Sequence, residues 1–259
     1  MYHMVPWLRS ITKPTKKNYA HDAQPSNYPD NYPIQGESSY PLHTAVSQNE
    51  LIKVQIILNE DKLKYKNTDR PCIRVNQTDN EGYLPIHWAL NKKFSYKTGR
   101  AADNNLKILK LLLKYPNSSQ GDKQKMTVLH WATKNNLPNS VALILEQYRN
   151  KLPDFINQKD QDGLTALHYA VDKDEKEEYR KKRIQILNTL LNDPKVQITK
   201  IDKDGKTALH QAVINNNLEA VEAILEYCRN KPEDRTNQKD QEGFTPLHYA
   251  VDKDQQGAI

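Results

Sequence analysis

The chain has 259 residues, 37% of them hydrophobic and 27% charged, with a mean hydropathy of −0.88. That is too polar for one large globular core and suits an elongated molecule whose parts all stay near solvent. The net charge of +6 is spread over interleaved acids and bases, which argues against a duplex-binding stripe. The two isolated cysteines, Cys72 and Cys228, argue against a disulfide-stapled secreted domain and fit a reducing cytosol.

Residues 1–39 are rich in Pro, Asn, Ser and Tyr, with Pro25, Pro29 and Pro33 spaced four apart. They read as an irregular tail or cap. Arg9, Lys13, Lys16 and Lys17 precede the first acid, Asp22, and read as solubilising charge. No apolar h-region marks a signal peptide, and no apolar run reaches the roughly 18 residues of a membrane span.

From Tyr40 onward the chain repeats itself. Six hexamers align on a histidine: Tyr40-Pro-Leu-His-Thr-Ala45, Leu84-Pro-Ile-His-Trp-Ala89, Thr127-Val-Leu-His-Trp-Ala132, Thr165-Ala-Leu-His-Tyr-Ala170, Thr207-Ala-Leu-His-Gln-Ala212 and Thr245-Pro-Leu-His-Tyr-Ala250. Gly82, Gly163, Gly205 and Gly243 each lie five residues before a histidine, inside acidic turns such as Asp202-Lys-Asp-Gly205. Glycine supplies the positive φ of a tight turn, and Asp caps the turn's donors. In the odd units a second apolar stripe follows: Val54, Val141 and Val221 eleven residues after the histidine, Leu58, Leu145 and Leu225 fifteen after it. A spacing of four within one stripe is helical. Asn49, Asn136 and Asn216 stand between the two helical stretches, where Asn tolerates a left-handed turn.

The hexamers resemble the T-P-L-H-x-A signature of ankyrin repeats. The resemblance covers the chain from about residue 40 to its end. It implies an all-α repeat solenoid of about six units over residues 40–259, each a hairpin finger followed by two antiparallel helices. The sixth unit has room for its first helix only, so the chain reads as a piece of a longer protein.

The histidines are 44, 43, 38, 42 and 38 residues apart, longer than the family norm. The stretch 146–174 nearly recurs from Glu226, so the larger repeat is a pair of units. Units two and four carry eleven and eight extra residues before the second stripe, close to whole helical turns. In unit four the added stretch, Asp172 to Arg183, contains Glu177–Lys181 and Glu178–Lys182, the i,i+4 order that supports a helix. In unit two Gly99 interrupts Asn91–Asp103, which reads as a loop.

The six histidines, His43, His87, His130, His168, His210 and His248, tempt a metal reading. They occupy the family's TPLH position, which implies hydrogen bonds within each unit. Rings on neighbouring units about 8–10 Å apart could not share a zinc ion at about 2 Å. Trp88, Trp131, Tyr169 and Tyr249 follow them and read as packing residues. No phosphate loop, nucleophile elbow or cysteine-enzyme signature occurs. No cofactor, metal or catalysis is expected.

The family implies a protein partner, bound at the finger tips and the concave face. The tip acids are Glu81, Asp162, Asp204 and Glu242. Four residues before each histidine stand Tyr83, Met126, Leu164, Lys206 and Phe244, expected as an open, largely apolar row against which a partner packs. The Lys/Asn-rich, Gly-poor wording also resembles ankyrin-repeat effectors of intracellular bacteria. On that alternative the repeats are the targeting arm of a larger enzyme whose catalytic domain lies beyond Ile259, acting in a host cytosol.

Overall fold

The computed structural model describes residues 40–64, 73–91, 100–115, 121–152, 154–174, 176–229 and 236–256. The tail 1–39 and residues 92–99 of the expected loop Asn91–Asp103 lie outside them, while Arg100–Asp103, expected in that loop, are helical. Eleven α-helices are present among the described residues: α1 Pro41–Ser47, α2 Leu51–Lys64, α3 Pro85–Ala89, α4 Arg100–Leu112, α5 Val128–Lys134, α6 Pro138–Tyr148, α7 Ala166–Ala170, α8 Glu177–Leu191, α9 Ala208–Ile214, α10 Leu218–Arg229 and α11 Pro246–Gln256. The fingers contain no regular strand among the described residues, only an isolated bridge between Ile201 and Thr207.

Each histidine hexamer starts a first helix. Proline at the first turn of α1, α3 and α11 needs no hydrogen-bond partner there. Thr127 and Thr207 cap α5 and α9 by accepting the backbone N–H of His130 and His210. The odd-unit helices end as their asparagines imply. Asn49, Asn136 and Asn216 have φ of 59°, 59° and 52°. Asn49 N–H reaches Val46 O while Glu50 N–H reaches Ala45 O, both at 3.0 Å, the paired bonds of a Schellman motif. The same pair closes α5 through Asn136 and Leu137, and α9 through Asn216 and Asn217.

The first helices form one layer, each against the next, and the second helices α2, α4, α6, α8 and α10 form another. The interior lies between them. Leu42, Ile86, Leu129, Leu167 and Leu209, each just before its histidine, are buried from the first layer. Ile57, Leu58, Ile108, Leu112, Ile144, Leu145, Ile186 and Leu190 are buried from the second. The core is therefore a strip extended along the stack, which accounts for the polar composition.

The inserted stretch of unit four is only partly helical. The residues Asp172–Asp174 are irregular, and the added length becomes the first turns of α8, beginning at Glu177. Lys181 and Lys182 pair with Glu177 and Glu178 at 3.4 and 2.7 Å. Arg183, at the end of the insertion, is buried and turned inward. Its Nη1 donates to Thr133 O at 2.8 Å and Tyr169 O at 3.1 Å, and its Nε to Asp174 Oδ2 at 2.8 Å. The insertion thus joins units three and four. No helix among the described residues is long and apolar enough to cross a membrane.

Candidate interaction surface

In units two to six a buried aspartate stands eight residues before the histidine: Asp79, Asp122, Asp160, Asp202 and Asp240. One carboxylate oxygen accepts two finger N–H groups at 2.8–3.0 Å, those of the second tip residue and of the residue four before the histidine. The other oxygen accepts from the side chain that follows the histidine. Trp88 and Trp131 donate their indole N–H at 2.9 and 3.0 Å, Tyr169 and Tyr249 their hydroxyls at 2.6 Å, and Gln211 its amide at 3.4 Å. Burial and the neighbouring carboxylate push the Tyr169 and Tyr249 hydroxyls well above the usual phenol range. The aromatic residues after the histidines therefore hold the fingers in shape. A donor nine residues after an aspartate in five units was the sequence signal for this bond.

The histidines do more than brace their own units. Nδ1 accepts the N–H of the residue three before it at 3.0–3.1 Å in units two to six. With Nδ1 an acceptor, the ring's proton sits on Nε2, which donates into the next unit: His43 to Tyr83 O at 2.9 Å, His130 to Leu164 O and His168 to Lys206 O at 3.1 Å, His210 to Phe244 O at 3.2 Å. Burial lowers the proton affinity of His43, His130 and His210, and drives His87 to about 3 and His168 to about 4. The rings of His43, His130, His168 and His210 are neutral clips between units. Among the described residues no group of histidine, cysteine and carboxylate side chains has the arrangement of a metal site.

The finger tips are locked side by side. Gln161 N–H donates to Gln124 O at 2.8 Å, Lys203 N–H to Asp162 O at 3.0 Å and Gln241 N–H to Asp204 O at 3.1 Å. Side chains add to this ladder, with Lys203 Nζ 3.2 Å from Asp162 Oδ1 and Gln241 Nε2 donating to Lys203 O at 2.7 Å. Glu81, Asp162 and Glu242 are exposed and Asp204 is half-exposed. The turns leave little room: a Cβ added to Gly205 (φ +80°) would meet Gln241 N at 2.8 Å in the next finger. In unit three the left-handed position is held by Lys125 (φ 59°), a departure that the glycine pattern did not flag.

The residues four before the histidines correct the expectation of an open row. Met126 is 1% exposed, Leu164 7% and Lys206 8%. Only Tyr83 and Phe244 are half-buried. Tyr83 stands edge-on to Trp131 of the next unit at 5.6 Å between ring centres, and Phe244 lies 5.8 Å from Tyr249. Tyr83, Met126 and Lys206 lie against an aromatic side chain of the following unit, with the aspartate of their own finger fixing the N–H of each. Lys206 is held over the Tyr249 ring at 5.9 Å, with its Nζ 3.8 Å from Asp204. The charged tips stay in solvent while three members of the row sit in the junctions.

Models of known families match this chain at residues 99–181 and 177–259, both to "Ankyrin repeats (3 copies)". The chain belongs to the ankyrin repeat family. Among curated relatives, canine and human Inversin are 31% and 30% identical over 179 residues, 68% of this chain. The chain spans only 14–15% of the length of those Inversins. The probable 26S proteasome regulatory subunit p28 of Saccharomyces cerevisiae is 26% identical over 219 residues, covering 83% of this chain and 79% of p28. Among solved structures, the ankyrin repeat domain of Bcl-3 superposes with a TM-score of 0.64 at 24% identity, over 85% of this chain and 82% of that one. The ankyrin repeat protein EF0377 gives 0.60 at 23% identity, over 85% and 94%. Both confirm the all-α solenoid fold. Ankyrin repeats are generally protein–protein interaction modules and typically non-catalytic.

Proposed function

We propose that this chain binds a folded protein partner along its finger tips, through Glu81, Asp162, Asp204 and Glu242, with Tyr83 and Phe244 as partly open aromatic anchors beside them. The observation that carries the reading is the ladder itself. Three backbone bonds hold the fingers of units three to six in a fixed order, and Lys123 Nζ of the third finger donates to Asn80 O of the second at 3.3 Å, so a partner meets a preformed surface and little ordering entropy is lost on binding. The tips carry both signs of charge, as suits a polar protein rim better than a phosphate backbone. Met126, Leu164 and Lys206 support that surface from beneath. The two cysteines, Cys72 and Cys228, lack the spacing of a disulfide framework, which favours a reducing cytoplasm as the site of action.

Affinity capture with the purified chain, followed by mass spectrometry, tests the reading. The comparison is a variant with Glu81, Asp162, Asp204 and Glu242 all changed to Lys. Proteins retained by the natural chain and lost by the variant, with unchanged melting, are the expected result. An identical set of retained proteins on both would refute the tip surface.

A further inference from the structure

The second helices of units two and five carry one pattern in opposite charge. Residues 106–115 read LKILKLLLKY and residues 218–227 read LEAVEAILEY. Aligned without a gap, three lysines fall on three glutamates: Lys107 on Glu219, Lys110 on Glu222 and Lys114 on Glu226. The buried positions agree as well, Ile108 and Leu112 falling on Ala220 and Ile224. Each lysine and its matched glutamate therefore occupy the same place in their unit.

All six side chains are exposed. Lys107 and Lys110 stand on α4, with Lys114 just past its end, and the three glutamates stand on α10. Spacings of three and four put each trio on one stripe, where like charges repel. α8 shows the ordinary solvent-facing arrangement, in which Glu177 and Glu178 pair with Lys181 and Lys182 of the same helix. α4 and α10 keep the signs apart, so each stripe slightly destabilises its own helix and an opposite stripe relieves it.

Between them lie α6 and α8, since α4 packs on α6, α6 on α8 and α8 on α10. At the matching positions α6 exposes Asn139, Ala142 and Glu146, and α8 exposes Gln185, Asn188 and Asn192. From α4 to α10 these positions run from basic through nearly neutral to acidic.

We propose that this surface binds a second copy of the chain, back to back, about a two-fold axis parallel to the helices and midway between α6 and α8. Such an axis reverses the order of the units but keeps the direction and the level of the helices. It sets α4 of one copy against α10 of the other, with each lysine opposite the glutamate of its own level. The second α4–α10 pair forms by symmetry, so the interface closes as a dimer. α6 meets α8 in the middle, where short side chains let the longer lysines and glutamates reach across on either side. One chain carries both halves of the match at equivalent positions, which is what a self-complementary surface requires and what argues for a copy over an unrelated partner. The surface lies on the second helices and not on the finger tips, so it stands independently of the function proposed above.

Sedimentation equilibrium of the intact chain is the test. Exposed ion pairs contribute little singly and are screened by salt. A monomer–dimer equilibrium is expected in about 0.05 M NaCl, weakened about tenfold or more in about 0.5 M. Lys107→Glu, Lys110→Glu and Lys114→Glu together should weaken it to the same degree. That variant lowers the net charge from +6 to 0, so general repulsion between chains cannot account for the loss. Glu219→Lys, Glu222→Lys and Glu226→Lys together should also break the dimer. Joining both sets in one chain restores opposite stripes, exchanged in place, and should recover it. All six positions are exposed, so melting should hold, and a melt of each variant checks this. A natural chain that stays monomeric in low salt would overturn the proposal. So would a triple variant that dimerises as tightly as the natural chain, or a combined variant that associates no better than the two it joins.

Discussion

Acid should loosen this stack well before its carboxylates titrate, and the buried histidines set the size of the effect. Nδ1 of His87 and of His168 accepts a backbone N–H, so neither ring can take a second proton without breaking that bond. His168 and His87 titrate at about 4 and about 3 in the folded chain, against 6.5 for an ordinary histidine. The unfolded chain therefore binds more protons than the folded one below pH 6.5. The stability these two rings contribute is intact above that pH and is lost as pH falls from 6.5 toward 4 and 3. Linkage between pH 7 and pH 5.5 gives about 1.2 kcal/mol lost for each ring, or about 2.5 kcal/mol for the pair. His43, His130 and His210 are lowered as well and act in the same direction. At about 2–4 °C per kcal/mol for an array of this size, the melting midpoint should fall by roughly 5–10 °C. Circular-dichroism melts at pH 7.0 and 5.5, at constant ionic strength, measure it. NMR of the imidazole protons supplies a second readout, since the rings of His87 and His168 should show no titration down to pH 5.5. A midpoint that is flat or rises over that interval would refute the assignment of these rings as neutral clips.

Three further outcomes follow from the junctions. Lys125→Gly should stabilise by about 0.5 kcal/mol, because relief of a left-handed lysine outweighs the extra freedom of glycine in the unfolded chain; a loss on urea unfolding would contradict this. Gly205→Ala and Gly243→Ala impose the same backbone strain, but only the first meets a neighbouring finger, at 2.8 Å. The first should therefore cost at least about 1 kcal/mol more, and equal losses in denaturant titrations would show that the fingers do not press on each other. Leu164→Ala should cost about 2–4 kcal/mol as a core truncation, whereas Glu81→Ala and Glu242→Ala should stay within about 0.5 kcal/mol, all read from unfolding midpoints.

How much of this was legible in the residues depended on the range of the interaction. The repeat and the glycine and asparagine turns are local, and their positions could be read directly because backbone sterics act within a few residues. The aspartate-to-aromatic bond was equally local in sequence, nine residues apart, and recurs in five units. Reading the position after the histidine as simple packing missed it. The row of Tyr83, Met126, Leu164, Lys206 and Phe244 was different. Its apolar character was visible, but whether it faced solvent or the following unit depends on finger-to-finger bonds between residues about forty apart.

The sequence by itself determined that this chain is a stack of finger-and-two-helix units, where each first helix begins, and that its histidines serve structure. Only the tertiary structure decided what the units do to one another. His-Tyr-Ala-Val-Asp-Lys-Asp occurs at 168–174 and again at 248–254. It leaves the helix after Ala170 in one place and continues as helix to Gln256 in the other. Identical residues have identical local preferences, so the choice cannot be local. It is made where Arg183, brought in on α8, takes the Tyr169 carbonyl and Asp174, and where the aliphatic face of that helix covers Leu167 and Val171. Leu247 and Val251 are exposed among the described residues, and there the backbone of α11 satisfies its own hydrogen bonds by remaining helical.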